Sequence, residues 1–183
     1  MRIIAGELGG RKINPPAKMP HTRPTTDVAK EGLFNVIQNN LEIETLKTLD
    51  LFGGTGSISY ELASRGASDL TIVEKDPEMV EFIKKTSQQL NLTNLRVVRM
   101  EVFRFIQQCT EKFNLIFAGP PYALTTIDEL PASVFKHELL LPGGWFILEH
   151  TPRNDYSKYE NFATSRNYGT TIFSIFVNRN TQP

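Results

Sequence analysis

The sequence predicts an α/β fold, a mostly parallel sheet with helices on both faces. Three observations carry this. Short apolar runs of strand length alternate with segments whose apolar residues recur at helical spacing. The first apolar run ends in a glycine-rich turn, LFGGTGS, that opens onto a helix. A later run, FNLIFA, stops at Gly119-Pro120-Pro121-Tyr122, because a central strand cannot continue through two residues that lack an N–H.

The elements follow in chain order. Residues 1–25 are rich in Gly and Pro and read as a basic N-terminal arm or hairpin; residues 26–183 form the main domain. From 26 to 40, Ala29, Leu33, Val36 and Ile37 give helical spacing. LKTLDLF (46–52) is a buried strand, and SISYELASRG (57–66) a helix stopped by Gly66. DLTIVE (69–74) is the second strand. Asp76-Pro77 is a cap followed by proline at the first helical position, and Met79, Phe82, Ile83 and Leu90 form that helix's apolar stripe. LRVVRM (95–100), FNLIFA (113–118) and GWFILEH (144–150) are further strands. VFRFIQQC and residues 127–138 are helices. Two last strands, about 161–167 and 170–178, are joined by a turn at Asn167-Tyr168-Gly169.

A chain of 183 residues with 40% hydrophobic content can bury a sizeable core. No apolar run approaches the ~18 residues of a membrane span, and the start is too polar for a signal peptide, so the cytoplasm is the expected location. The single cysteine, Cys109, excludes an internal disulfide or a multi-cysteine zinc site and reads as a buried apolar residue. His21, His137 and His150 show no metal spacing; no metal is expected, and no amphipathic surplus argues against a monomer. The formal net charge is zero but unevenly spread: residues 1–30 carry six Lys/Arg against two Asp/Glu. A basic arm on an acidic body suits a polyanion partner, or is merely a solvated tail.

In parallel sheets ligands bind beyond the carboxyl ends of the strands. After the first strand, Gly53, Gly54 and Gly56 let backbone approach a ligand closely. Glu74, ending the second strand, stands where an acidic residue about 20 positions on binds ribose hydroxyls. Together they favour an adenosine-containing cofactor, and NAD and S-adenosylmethionine both qualify. Read from Gly54, the last glycine of G-x-G-x-x-G is replaced by Ser59, which counts against a dinucleotide. After the third strand, Glu101 suits an adenine amino group or a helix start. Arg23 suits a carboxylate or phosphate, while Thr26 and Asp27 equally suit a helix start.

Several motifs then occur in one order: MRIIAGELGGRKI, TRPTTDVAKEGLFN, DLFGGTGSISYELASRGA, TIVEKD, LIFAGPPY and GGWFILEH. AGPPY resembles the D/N-P-P-Y/F motif of methyltransferases acting on exocyclic amines. The whole series resembles the RsmD-type enzymes, which methylate the exocyclic N2 of a guanine in 16S ribosomal RNA. The resemblance implies a Rossmann-like class I methyltransferase with a seven-stranded, mostly parallel sheet and an antiparallel last strand. It implies S-adenosylmethionine as cofactor, and ribosomal RNA or the small ribosomal subunit as partner. Carried over, it assigns Arg23, Pro24, Thr26, Asp50, Phe52, Gly53, Gly54, Thr55, Gly56, Ser57, Glu74, Lys75, Glu101 and Val102 to the cofactor. Asp50 would orient the turn or meet the methionine amine. Arg2, Arg11 and Lys12 are assigned to RNA phosphates, which position without specifying.

The chemistry accounts for the prolines. The lone pair of a guanine amine is delocalised into the ring, so the enzyme must extrude the base and hold the amine in place. A carbonyl of Pro120-Pro121 would accept one amine hydrogen, and Tyr122 would stack on the base, a contact of about 1–3 kcal/mol. Gly119 stands where the family has Asp or Asn, the other acceptor, and Glu101 where it has Asp. Losing one positioned hydrogen-bonding group costs about 10²–10³ in rate. Three readings stay open: an impaired enzyme, a chain that binds cofactor and RNA without transferring methyl, or a cloning variant. Related amine methyltransferases act on DNA adenine or protein glutamine; the basic arm and TRPTTD argue against those. A C5-pyrimidine enzyme would want a cysteine nucleophile here, and nothing after the fourth strand resembles a hydride-transfer acid.

Overall fold

The computed structural model describes residues 1–19 and 24–182. Twelve regular elements follow one another: α1 (Asp27–Asn40), β1 (Lys47–Leu51), α2 (Ser57–Ser64), β2 (Asp69–Glu74), α3 (Pro77–Gln89), β3 (Leu95–Arg99), α4 (Val102–Gln108), β4 (Phe113–Ala118), α5 (Leu130–Lys136), β5 (Leu140–His150), β6 (Phe162–Tyr168) and β7 (Thr171–Val177). They build one seven-stranded sheet in the order β3-β2-β1-β4-β5-β7-β6. Strands β1 to β5 pair in parallel, and β7 runs antiparallel to both β5 and β6. The order turns back between β1 and β4, which opens a crevice at their carboxyl ends.

Side chains alternate across the sheet. Leu49 and Leu51 of β1, Ile116 and Ala118 of β4, and Phe146 and Leu148 of β5 join one core with Val102, Ile106, Leu130 and Val134 of α4 and α5. Leu115, Phe117 and Ile147 face the other way, onto Leu33, Phe34 and Ile37 of α1 and Ile58 and Leu62 of α2. Both faces are covered, so these strands read as continuous apolar runs rather than alternating ones. Thr26 caps α1 by accepting from Ala29 N–H, and Asp76 caps α3 by accepting from Met79 N–H.

The N-terminal segment forms a hairpin bridged at Arg2 and Lys12, with Ile3 and Ile13 buried against Tyr60 and Leu90. It is clamped to α2. Glu61 accepts from Ile4 N–H (2.8 Å) and Ala5 N–H (3.1 Å), and Ser64 Oγ accepts from Leu8 N–H. That clamp explains why α2 is buried nearly all round despite its polar residues.

One local expectation is refined and three are corrected. Residues 127–138 are a 3-10 turn, Ile127–Glu129, followed by the short α5, because Pro131 enters in the first turn of the α-helix. Strand β5 starts at Leu140, not Gly144: Leu140 pairs with Phe113 before a register shift around Pro142-Gly143-Gly144. The last hairpin turns at Gly169-Thr170, since Tyr168 pairs with Thr171. Cys109 is half-buried at the end of α4 rather than fully buried. His137 and His150 bond backbone and Ser174; His21 lies outside the described residues. No helix among the described residues is long and apolar enough to cross a membrane.

Candidate active site

A cavity of about 420 Å³ opens at the carboxyl ends of β1, β2, β4 and β5. Its floor is the turn after β1. Gly53 is required there: a Cβ would lie 2.1 Å from Ile72 Cγ2. Gly56 is required too, since it takes φ +84° and a Cβ would strike the Tyr60 ring. Phe52 itself adopts φ +61°, a strained conformation for an aromatic residue, at the point where the chain leaves the sheet.

Glu74 holds this turn. Its Oε2 accepts from Gly54 N–H (2.8 Å) and its Oε1 from Asp76 N–H (2.9 Å). The carboxylate thus ties the glycine turn to the start of α3. Each oxygen retains a lone pair for a ribose hydroxyl. Glu101 caps α4, accepting from Phe103 N–H and Arg104 N–H (2.9 and 2.8 Å), and also lines the cavity. Both readings of Glu101 therefore meet in one position. Asp50 is buried and accepts from Ser59 Oγ at 3.0 Å. Burial pushes its carboxyl up to about 8, and the charges of Glu74 and Glu149 add to the effect.

Of the expected cofactor residues, Pro24, Asp50, Phe52, Gly53, Gly54, Thr55, Ser57, Glu74, Lys75, Glu101 and Val102 line this cavity. Gly56 lies behind it at the start of α2. Thr26 does not line it. Its hydroxyl is committed to the α1 cap, and the preceding residue, Thr25, is the one that faces inward. Arg23 lies outside the described residues. Gly119, Pro120, Pro121 and Tyr122 line the same cavity, with Tyr122 48% exposed. Pro121 C=O accepts from Leu124 N–H at 2.9 Å. Of the expected RNA contacts, Arg2 pairs with Asp27 (2.8 Å) on the surface, and Arg11 and Lys12 are exposed on the hairpin.

Glu149 and Thr25 were not foreseen. Glu149 lies near the end of β5, where the rule of reading past each strand's carboxyl end would have found it. It lines the cavity beside Gly119, and Thr25 Oγ1 donates to its carboxylate at 3.0 and 3.1 Å. Burial pushes the Glu149 carboxyl up to about 7, with the Thr25 hydrogen bond pulling the other way.

The lining carries five carboxylates, Asp50, Glu74, Asp76, Glu101 and Glu149, against one cation, Lys75, among the described residues. A cofactor bearing an ammonium and a positively charged sulfur would meet complementary charge. The fold and this acid-lined cavity define a class I S-adenosylmethionine-dependent methyltransferase.

Comparison with known proteins narrows this further. The family profile described as Conserved hypothetical protein 95 matches residues 1–177. Ribosomal RNA small subunit methyltransferase D of Escherichia coli K12 is 34% identical over 145 residues, covering 79% of this chain and 69% of that protein. The protein of the same name from Buchnera aphidicola (Baizongia pistaciae) is 27% identical, over 98% of this chain and 93% of the relative. Among solved structures, Escherichia coli yhhF superposes with a TM-score of 0.85 at 26% identity, covering 97% of both chains. The chain belongs to the RsmD-type methyltransferase family.

Proposed function

We propose that the chain transfers a methyl group from S-adenosylmethionine to the exocyclic N2 of a guanine in 16S ribosomal RNA. The observation that carries this reading is the Pro120-Pro121-Tyr122 corner, which opens onto the acid-lined cavity at the end of β4. The names of its relatives supply the ribosomal substrate class.

Bound S-adenosylmethionine supplies a methyl group activated by positive charge on sulfur. The chain's own residues do the rest. Glu74 and the glycine turn hold the adenosine end, and Asp50 meets the methionine ammonium. Pro120 C=O accepts one amine hydrogen, its direction set by the fixed φ of the prolines. Tyr122, at the cavity mouth, stacks on the extruded base. Arg11 and Lys12 on the hairpin contact phosphates, and Arg2 does so by leaving Asp27.

A second reading, a noncatalytic relative that binds cofactor and RNA, has Gly119 in its favour. One assay separates the two. Labelled S-adenosylmethionine is incubated with small subunits lacking the guanine N2 mark, with naked 16S RNA, with DNA and with peptide. Methylguanosine in the subunit or RNA supports the proposal. Cofactor binding with no transfer to any of the four supports the noncatalytic reading, and transfer only to DNA or peptide replaces the substrate class.

A further inference from the structure

Gly119 removes the side-chain acceptor of the proline motif, yet the space it vacates is filled. A Cβ built on Gly119 would lie 3.0 Å from Glu149 Oε2. In Asp or Asn the side-chain oxygen lies roughly 2.4 Å from its own Cβ by standard bond lengths. Oε2 therefore borders the position from which a side chain at 119 would extend, with Phe117 Cε1 at 3.1 Å on another side. The placement follows from the sheet: Ala118 pairs with Leu148, so the next residues on β4 and β5, Gly119 and Glu149, leave it side by side. The single Thr25 hydroxyl hydrogen, from the segment before α1, is shared between the two carboxylate oxygens at 3.1 and 3.0 Å, which orients the side chain and leaves lone pairs on it for another donor.

We infer that Glu149 is a catalytic residue that takes the part of the motif's Asp or Asn, accepting a hydrogen of the substrate's exocyclic amine from its place beside Gly119. The inference rests on the methyltransferase reading above and deepens it. Methyl transfer would form a nitrogen–carbon bond and break the sulfur–methyl bond, its electrons staying on sulfur in the departing thioether, and the amine nitrogen must then lose one proton. The N–H bond breaks with its electrons remaining on nitrogen, an O–H bond forms on Glu149, and the carboxylate goes from charged to neutral. Water then removes that proton. The carboxyl's raised affinity for protons, caused by burial, suits the role.

The test uses full-length chain in single-turnover transfer to unmarked small subunits, with S-adenosylhomocysteine affinity measured by calorimetry. Glu149→Leu removes both oxygens at similar volume. The expected result is a 10²–10³-fold slower transfer with cofactor-product affinity changed less than threefold. Gly119→Asn added to Glu149→Leu restores the acceptor from the other strand and should recover at least tenfold. Glu149→Gln, the mildest change, keeps one acceptor oxygen and should fall between; it decides the matter if the leucine variants do not fold. Transfer by Glu149→Leu within twofold of the parent, or wild-type rate in Glu149→Gln, overturns the inference while leaving the methyltransferase reading standing. So does a loss explained wholly by weaker S-adenosylhomocysteine binding. An unsubstituted chain that binds cofactor but transfers to no RNA overturns the parent reading, and this inference with it, before any substitution is made.

Discussion

Glu74 Oε2 accepts the Gly54 N–H at 2.8 Å, while its Oε1 takes Asp76 N–H at 2.9 Å. A carboxylate expected to read ribose is therefore also the brace of the turn beneath it. Hydrogen bonds to charged groups contribute about 1.5–3 kcal/mol each. Glu74→Ala should weaken S-adenosylhomocysteine binding at least tenfold, and Glu74→Gln should recover part of it because one backbone bond survives. Calorimetry on the three proteins checks this. Equal affinity for Glu74→Ala and the parent would show that the turn holds itself.

Gly53 meets Ile72 where a side chain has no room, with 2.1 Å between a built Cβ and Ile72 Cγ2. Forcing a methyl into a packed site costs about 1–3 kcal/mol. Gly53→Ala should lower the unfolding free energy by that amount, read as a lower urea midpoint at unchanged slope, and reduce cofactor affinity together, because the same displacement moves both. An unchanged midpoint would mean that β1 and β2 can separate at little cost.

Asp50 and Glu149 hold their protons more tightly in the folded chain than in the unfolded one, with carboxyls near 8 and 7. Between about pH 4 and pH 8 the folded state thus binds more protons than the unfolded state, and stability falls as pH rises through that window. The penalty is absent below the unfolded values and complete above the folded ones. The urea midpoint of the apo chain should be higher at pH 5 than at pH 8 by this contribution, and Asp50→Asn with Glu149→Gln should flatten the difference. Because the cofactor brings positive charge to Asp50, its binding at pH 7 should release protons. Calorimetry in buffers of different ionisation enthalpy reads that release, which Asp50→Asn should diminish.

Lys30 is buried against Glu61, with Nζ 3.7 Å from Oε2, and donates to Arg2 C=O and Ser57 Oγ. Burial pulls its ammonium below the usual lysine value, with the Glu61 charge opposing. Removing one partner of a buried pair costs about 3–5 kcal/mol. Glu61 keeps Arg65 at 3.0 Å, so Lys30→Met should destabilise the chain by less than that and expose the hairpin of residues 1–13 to limited proteolysis ahead of the sheet. Unaltered cleavage kinetics would assign the clamp to the backbone bonds at Glu61 alone.

The order of strands and helices was legible in the sequence, because both faces of the sheet's centre are covered and strands such as β4 and β5 carry dense apolar runs. Caps such as Asp76 with Pro77, and stops such as Gly119-Pro120-Pro121, were legible for the same reason: they act within a few residues of themselves. The glycine turn and Glu74 were legible as a pair, since one strand–helix–strand unit brings them together. Thr25 and Glu149 were not. They lie 124 positions apart, and only the parallel register of β4 on β5, set by packing along the whole sheet, brings Glu149 beside Gly119. Lys30 and Glu61 carry no local signal either; they meet only where the hairpin closes over α1 and α2. Local chemistry determined the elements and the motif at the end of β4; the tertiary structure decided which carboxylate stands in the space that motif leaves open, because side-chain proximity across strands depends on register, which no short stretch of sequence contains.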